Sequence, residues 1–225
     1  MSQSYNPLKM KVPLRIPCCE CGITEPIDIH LNDDSPAWVC SKGHHNQGMF
    51  VLDFTVGYKI LAKSEYELSA RRDFSMSIVF SAMSFECELS RLFGKWTNIE
   101  SNLSSGTGIK DEEIEGRLRK MARIDTRIEA ICQLMSPVGV DAFVSQTGDL
   151  KDAIVNRFPS LRIGALAQDF QQTIFWPRNR ILHFGYTEYT EPDAARCYSI
   201  ANIGLQILSQ LDKAKYAAVF PPQKA

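Results

Sequence analysis

The stretch of this sequence best equipped for chemistry is Phe175-Trp176-Pro177-Arg178-Asn179-Arg180-Ile181-Leu182-His183-Phe184-Gly185. Pro177 has no backbone donor and fits the first position of a helix, which puts Arg178 and Asn179 in the opening turn. Free N–H groups and the helix dipole favour an anion such as phosphate at that end. Asn179 and His183 are four residues apart and share one face, with Arg178 on the adjacent flank. Cation, amide and imidazole therefore gather beside an anion-binding helix end. The set suits RNA cleavage without a metal. Imidazole can take the proton of a ribose 2′-OH or return one to the leaving 5′-oxygen, and guanidinium can offset charge building on the phosphorus oxygens. A 2′,3′-cyclic phosphate and a 5′-hydroxyl are the expected products.

A second group of reactive side chains lies near the N-terminus. Cys18-Cys19-Glu20-Cys21-Gly22 contains a C-x-x-C knuckle followed by glycine, and Cys40-Ser41-Lys42-Gly43-His44 offers a second pair. Thiolates and an imidazole at this spacing suit a tetrahedral Zn²⁺, with Cys18, Cys21, Cys40 and His44 as the ligand set. His45 can stand in for His44, and Cys19 for Cys18. With all four positions filled by protein, the ion would be structural. The segment resembles a zinc ribbon. Cys87, Cys132 and Cys197 sit in apolar, helix-like surroundings and read as buried small hydrophobes.

The elements that must carry these residues differ along the chain. Up to about Thr55 the sequence is strand and turn: Val12–Ile16, the alternating Ile27–Leu31, Ala37-Trp38-Val39 and Met49–Phe54, with a turn at Asn32–Pro36. After Gly57 the period becomes helical. Apolar residues recur from about Glu65 to Trp96, then a flexible loop is expected at Ser101–Gly108. A second helix runs from Asp111 through Ile131 and ends at Pro137 and Gly139. Short helices follow over Asp141–Phe158. A third major helix spans Leu161–Trp176, is interrupted by Pro177 and resumes through His183, and Glu191-Pro192-Asp193 opens a last one. The expected fold is mainly α, an up-and-down helical bundle over residues 57–225 with a small β-rich segment over 1–56.

Composition excludes several classes. The 225 residues carry 25 basic and 26 acidic side chains, a net charge of −1, which rules out a histone-like polycation. No apolar run approaches the ~18 residues of a membrane span, and Met1–Pro13 lacks the layout of a signal peptide. A reducing cytoplasm is the expected compartment, where clustered cysteines point to metal rather than disulfides. Gly106-Thr107-Gly108 lacks the following Lys-Ser/Thr of a phosphate-binding P-loop.

Arg178-Asn179-x-x-x-His183, followed by Gly185 and a long helix from Pro192 to Leu211, resembles the active-site motif of the HEPN superfamily, the higher eukaryotes and prokaryotes nucleotide-binding helical domains. The resemblance covers roughly residues 57–215. It implies an up-and-down bundle, usually dimeric, with two motifs facing one cleft. It also implies metal-independent endoribonuclease activity in a toxin or anti-phage setting, with RNA as substrate and an antitoxin or defence-system partner. Other members are non-catalytic nucleotide-binding or scaffold modules. His183 would be general acid/base, Arg178 the phosphate-stabilising cation and Asn179 the positioner of His183. The family often carries an acid on an early helix; Glu86 matches it, either orienting Arg178 or His183 or pairing with a structural arginine.

The neighbouring residues have plainer readings. Glu88 is expected to face solvent. Lys120, Arg123 and Arg127 share a flank that reads as a solvated face or, alternatively, a stripe tracking RNA. Arg180 reads as part of the solvated face or, alternatively, as a grip on the RNA backbone. Phe175 and Trp176 read as core or dimer-interface aromatics first and base-stacking platforms second.

Overall fold

In the computed structural model of this chain the described residues are 11–17, 21, 24–30, 37–47, 56–121 and 123–221. The chain is mainly α-helical and divides into two units, Met1–Lys59 and Ile60–Ala225.

The first unit carries two antiparallel hairpins. Strands β1 (Lys11–Pro17) and β2 (Thr24–His30) pair with Lys11 opposite His30 and Pro17 opposite Thr24. Strands β3 (Ala37–Val39) and β4 (His45–Gln47) pair with Val39 opposite His45. The period-two stretches of the sequence fall on β1 and β2, and Ala37-Trp38-Val39 falls on β3. The expected turn at Asn32–Pro36 and strand at Met49–Phe54 lie outside the described residues. Cys40–His44 is the β3–β4 turn, closed by Cys40 N–H to the His44 carbonyl (3.1 Å) and Gly43 N–H to the Cys40 carbonyl (2.8 Å). Gly43 sits at φ +81°, a conformation that favours glycine.

The second unit is built on two long helices. Helix α1 (Val56–Tyr66) continues into a π-helical turn, Glu67–Arg71, and Arg72 at φ +56° breaks the run. Helix α2 (Phe74–Ser105) then starts afresh, its first turn capped by the Asp73 carboxylate accepting from Met76 N–H at 3.0 Å. The sequence period from Glu65 to Trp96 therefore covers two elements rather than one. At the other end α2 absorbs much of the expected Ser101–Gly108 loop. Ser104 and Ser105 hydroxyls donate to the Ser101 carbonyl within the helix, and Gly106 at φ +72° terminates it.

Helices α3 (Asp111–Lys120) and α4 (Ile124–Met135) replace the single helix expected from Asp111 to Ile131. The break falls at Met121–Arg123, where Met121 N–H turns back to the Leu118 carbonyl and Arg123 grips the buried Asp125 carboxylate. Helices α5 (Gly139–Gln146) and α6 (Gly148–Arg157) are the short helices anticipated there. Helix α7 (Leu166–Phe170) passes through a π-helical turn, Gln171–Phe175, into α8 (Trp176–Phe184), and α9 (Glu191–Val219) follows. Thr190 and Asp193 form a capping box at the start of α9.

Helices α2 and α9 form the spine and run parallel. Phe85 lies against Gly204, Trp96 Nε1 donates to Asp212 at 2.7 Å, and Lys215 reaches Glu100 at 2.8 Å, so both sequences advance together. Ile78, Leu89, Leu92 and Trp96 on α2 and Ile200, Leu205, Leu208 and Leu211 on α9 are buried between them and their neighbours. Glu88 corrects the expectation of a solvated acid. It is buried at 2% exposure and takes both bonds of the Arg91 fork, because Phe85, Glu88, Leu89 and Leu92 form one i, i+3, i+4, i+7 stripe. Cys132 and Cys197 are buried as expected, and burial pushes both thiols up to about 12; Cys87 is only half-buried, between the acids Glu86 and Glu88, which corrects its reading as a core thiol. Among the described residues no single helix is long and apolar enough to cross a membrane.

Candidate functional site

Proline shapes the approach to the Arg–His segment. With no N–H, Pro177 leaves the regular ladder unpaired, and the preceding turn widens so that Trp176 N–H reaches back to the Gln171 carbonyl. The backbone is already helical at Phe175 and Trp176. This corrects the expectation that Arg178 and Asn179 begin a helix with a free end: α8 is joined to a helical segment, and its first turn is not an open anion cradle. Gly185 at φ +63° closes α8, its N–H on the Ile181 carbonyl.

What holds Arg178 is side-chain chemistry. Its Nη2 donates to Glu86 Oε2 at 3.0 Å and its Nη1 to Asn179 Oδ1 at 2.9 Å. The other Glu86 oxygen, Oε1, accepts from Arg127 Nη1 at 3.1 Å. One carboxylate on α2 thus joins an arginine of α4 to an arginine of α8. The Nε groups of both arginines are buried and have no hydrogen-bond partner among the described residues. A cleft of about 300 Å³ opens beside this cluster, lined by Glu86, Arg123, Arg127, Arg178, Asn179 and Trp176 together with Ile124, Gln171 and Phe175. Arg123 is paired with Asp125, so its guanidinium holds the Asp125 carboxyl below the ordinary range. Two guanidiniums sharing Glu86 leave the cleft wall with surplus positive charge.

Glu86, Arg178 and Asn179, expected to share a pocket, meet there. Arg127 lies elsewhere than expected. Read as part of a solvated flank or an RNA-tracking stripe, Arg127 is instead 16% exposed along its side chain and donates to the Leu118 and Met121 carbonyls as well as to Glu86. Ile124, Arg127, Ile128 and Ile131 form an i, i+3, i+4, i+7 set, which marks it as core-facing.

His183 lies one turn beyond Asn179 on α8. It is exposed, does not line the cleft, and no hydrogen bond or ion pair engages it among the described residues. No residue of α8 is buried, and Trp176, Leu182 and Phe184 are exposed at 52%, 54% and 80%. Phe175 is core, packed at 6.0 Å from the Phe85 ring, whereas Trp176 is not. Arg180 is no simple solvated cation: its guanidinium lies 3.8 Å from the Tyr186 ring centroid and 5.0 Å from that of Trp176.

In the first unit Cys21, Cys40 and His44 converge, each offering one donor atom, all within 4.8 Å of one another. Cys21 and Cys40 Sγ are 3.9 Å apart, and Cys40 Sγ is 3.5 Å from His44 Nδ1. Ordinary zinc bond lengths at a tetrahedral angle require about 3.8 Å between thiolates and about 3.5 Å between thiolate and imidazole. These three side chains could together hold a metal ion. His45 lies on β4, exposed, while His44 turns to Cys40. Cys18 and Cys19 lie outside the described residues.

No protein-family model, curated protein or solved structure matches this chain.

Proposed function

We propose that this chain is a metal-independent endoribonuclease of the HEPN type, acting as a cytoplasmic toxin or anti-phage effector. The observation that carries the reading is the Arg178 guanidinium fixed by Glu86 and Asn179 at the lip of a positively charged cleft. A fixed cation at such a lip stabilises charge as it develops on a phosphate in the transition state. His183 is the general acid/base. Asn179 spends its carbonyl on Arg178, which leaves its amide N–H groups available one helical turn before His183. RNA attack by its own 2′-OH leaves a cyclic phosphate and a 5′-hydroxyl. The active unit is a homodimer, with the exposed Trp176, Leu182 and Phe184 of α8 as the apolar ground for pairing.

In the first unit Cys18, Cys21, Cys40 and His44 would hold Zn²⁺. Bound there, the ion supplies folding stability to a segment of small hairpins.

A second reading is a non-catalytic HEPN-like module that binds a nucleotide or a partner's acidic group. One observation favours it: His183 stands outside the cleft that Arg178 lines.

Cleavage assays separate the two. Wild-type protein and His183→Ala are incubated with total RNA and a tRNA pool, with and without chelator. Chelator-resistant cleavage that disappears in the variant supports the ribonuclease. Identical, uncut RNA profiles with retained nucleotide or RNA binding support the module and overturn the enzyme.

A further inference from the structure

Arg127 and Arg178 share a carboxylate, but their remaining donors are spent differently. A guanidinium has five N–H groups. Arg178 gives one Nη1 hydrogen to Asn179 and one Nη2 hydrogen to Glu86, which leaves one N–H on each terminal nitrogen. Arg127 gives one Nη1 hydrogen to Glu86, while its Nη2 serves both the Leu118 and the Met121 carbonyls and is used up. Arg127 is also the more enclosed of the two, at 16% side-chain exposure against 25%. The Met121 carbonyl, and a second lone pair of the Leu118 carbonyl that already takes Met121 N–H, come within reach of Arg127 because the helix breaks between α3 and α4.

We propose that Arg127 is a positioning residue: anchored on the carbonyls of the α3–α4 break, it fixes Glu86, and Glu86 in turn fixes Arg178 with two N–H groups free to meet an anion. The inference rests on the reading of Arg178 as the phosphate-stabilising cation. It assigns the break itself a purpose, since a continuous helix would keep those carbonyls for its own ladder. Arg127 acts through Glu86 and touches no substrate.

The test combines kinetics with a spectroscopic arm. In wild-type protein the guanidinium N–H signals of Arg178 are expected to be resolved in ¹⁵N–¹H spectra, because its ion pair with Glu86 hinders rotation. In Arg127→Met, folded by its dispersed amide spectrum, those signals collapse. Arg127→Lys, which keeps the charge but not the forked reach, replaces it if the Met variant does not fold. Cleavage by Arg127→Met falls about ten- to hundredfold in kcat, the scale of a misplaced catalytic group, with KM unchanged. The salt dependence of RNA binding keeps its slope, whereas a lost phosphate contact would flatten it by about 0.7. Adding Arg127→Met to Glu86→Gln costs little beyond Glu86→Gln alone, since both act in one chain. Unchanged Arg178 signals in the folded variant overturn the proposal, as does a flattened salt slope, which would make Arg127 a direct RNA contact. If wild-type protein leaves RNA intact, the ribonuclease reading fails, and the Arg178 spectra still decide the positioning role.

Discussion

Gly204→Ala probes the packing that sets the height of Glu86. A methyl at Gly204 would stand 2.7, 3.1 and 3.3 Å from three carbons of the Phe85 ring. The ring cannot retreat. Phe85 is 1% exposed, with Phe170 at 5.1 Å and Phe175 at 6.0 Å between centroids. The spine helices must part instead, and overpacking of this kind costs about 1–3 kcal/mol. Replacing glycine inside a helix returns up to about 1 kcal/mol through propensity. The net expectation is a loss of about 1–2 kcal/mol, or a fall in Tm of roughly 2–8 °C for a unit of this size. Thermal melts followed by far-UV circular dichroism measure it directly. Phe85→Leu in the same chain vacates space for the methyl, so the two changes should couple by at least about 0.5 kcal/mol rather than add. A Gly204→Ala protein as stable as wild type, or more so, would refute the close approach of α2 and α9 at this level.

Other expectations follow from named contacts. Arg91→Met strands the Glu88 carboxylate, 2% exposed, and should cost about 3 kcal/mol in urea unfolding; Glu88→Gln should cost less, because Arg91 can still reach water at 29% side-chain exposure. Equal losses would contradict the burial of Glu88. The Thr190 hydroxyl and N–H hold the Asp193 carboxyl below the usual range, so this pair stabilises α9 above the ordinary carboxyl pKa and stops doing so as pH falls through the depressed one. Asp193→Asn should therefore cost about 0.5–2 kcal/mol near neutral pH and progressively less as pH falls through the depressed carboxyl range, measured by unfolding across an acid series. Metal analysis of the purified chain should find one zinc, lost with the fold of the first unit in Cys40→Ser; a metal-free wild-type protein with that unit folded would contradict the site.

The sequence made some of this legible because the signals are local. The Cys40–His44 pairing and the α9 start need only neighbouring residues: two ligand types at close spacing mark the first, and Pro192 in the opening turn marks the second. Glu86 beside Arg178 was reachable through the resemblance, which implies an acid on an early helix near the Arg–His segment. The failures share a cause. Lys120, Arg123 and Arg127 were grouped by charge, although Arg127 lies in the Ile124–Ile128–Ile131 stripe and Glu88 lies in the stripe of Phe85 and Leu92. Reading such residues as exposed neglects that an ion pair or a broken helix can satisfy a charge inside a core. Arg72 at φ +56° and the Met121–Arg123 break were invisible for a related reason. Helical periodicity carries through a short interruption that keeps the same face inward, and tertiary contacts alone place the interruption. The open helix end at Pro177 was misjudged because a missing N–H can widen a continuing helix as well as start one.

In the proposed reaction Arg178 and His183 promote attack by the RNA's own 2′-OH. That attack is tested most directly with a substrate mapped for its cleavage position and resynthesised with a single 2′-deoxy sugar there. Wild-type protein should cut the all-ribo strand to a 2′,3′-cyclic phosphate and leave the deoxy-substituted strand intact at that position, while His183→Ala cuts neither. Cleavage of the deoxy-substituted strand at the same bond, or undiminished cleavage by His183→Ala, would rule out this chemistry.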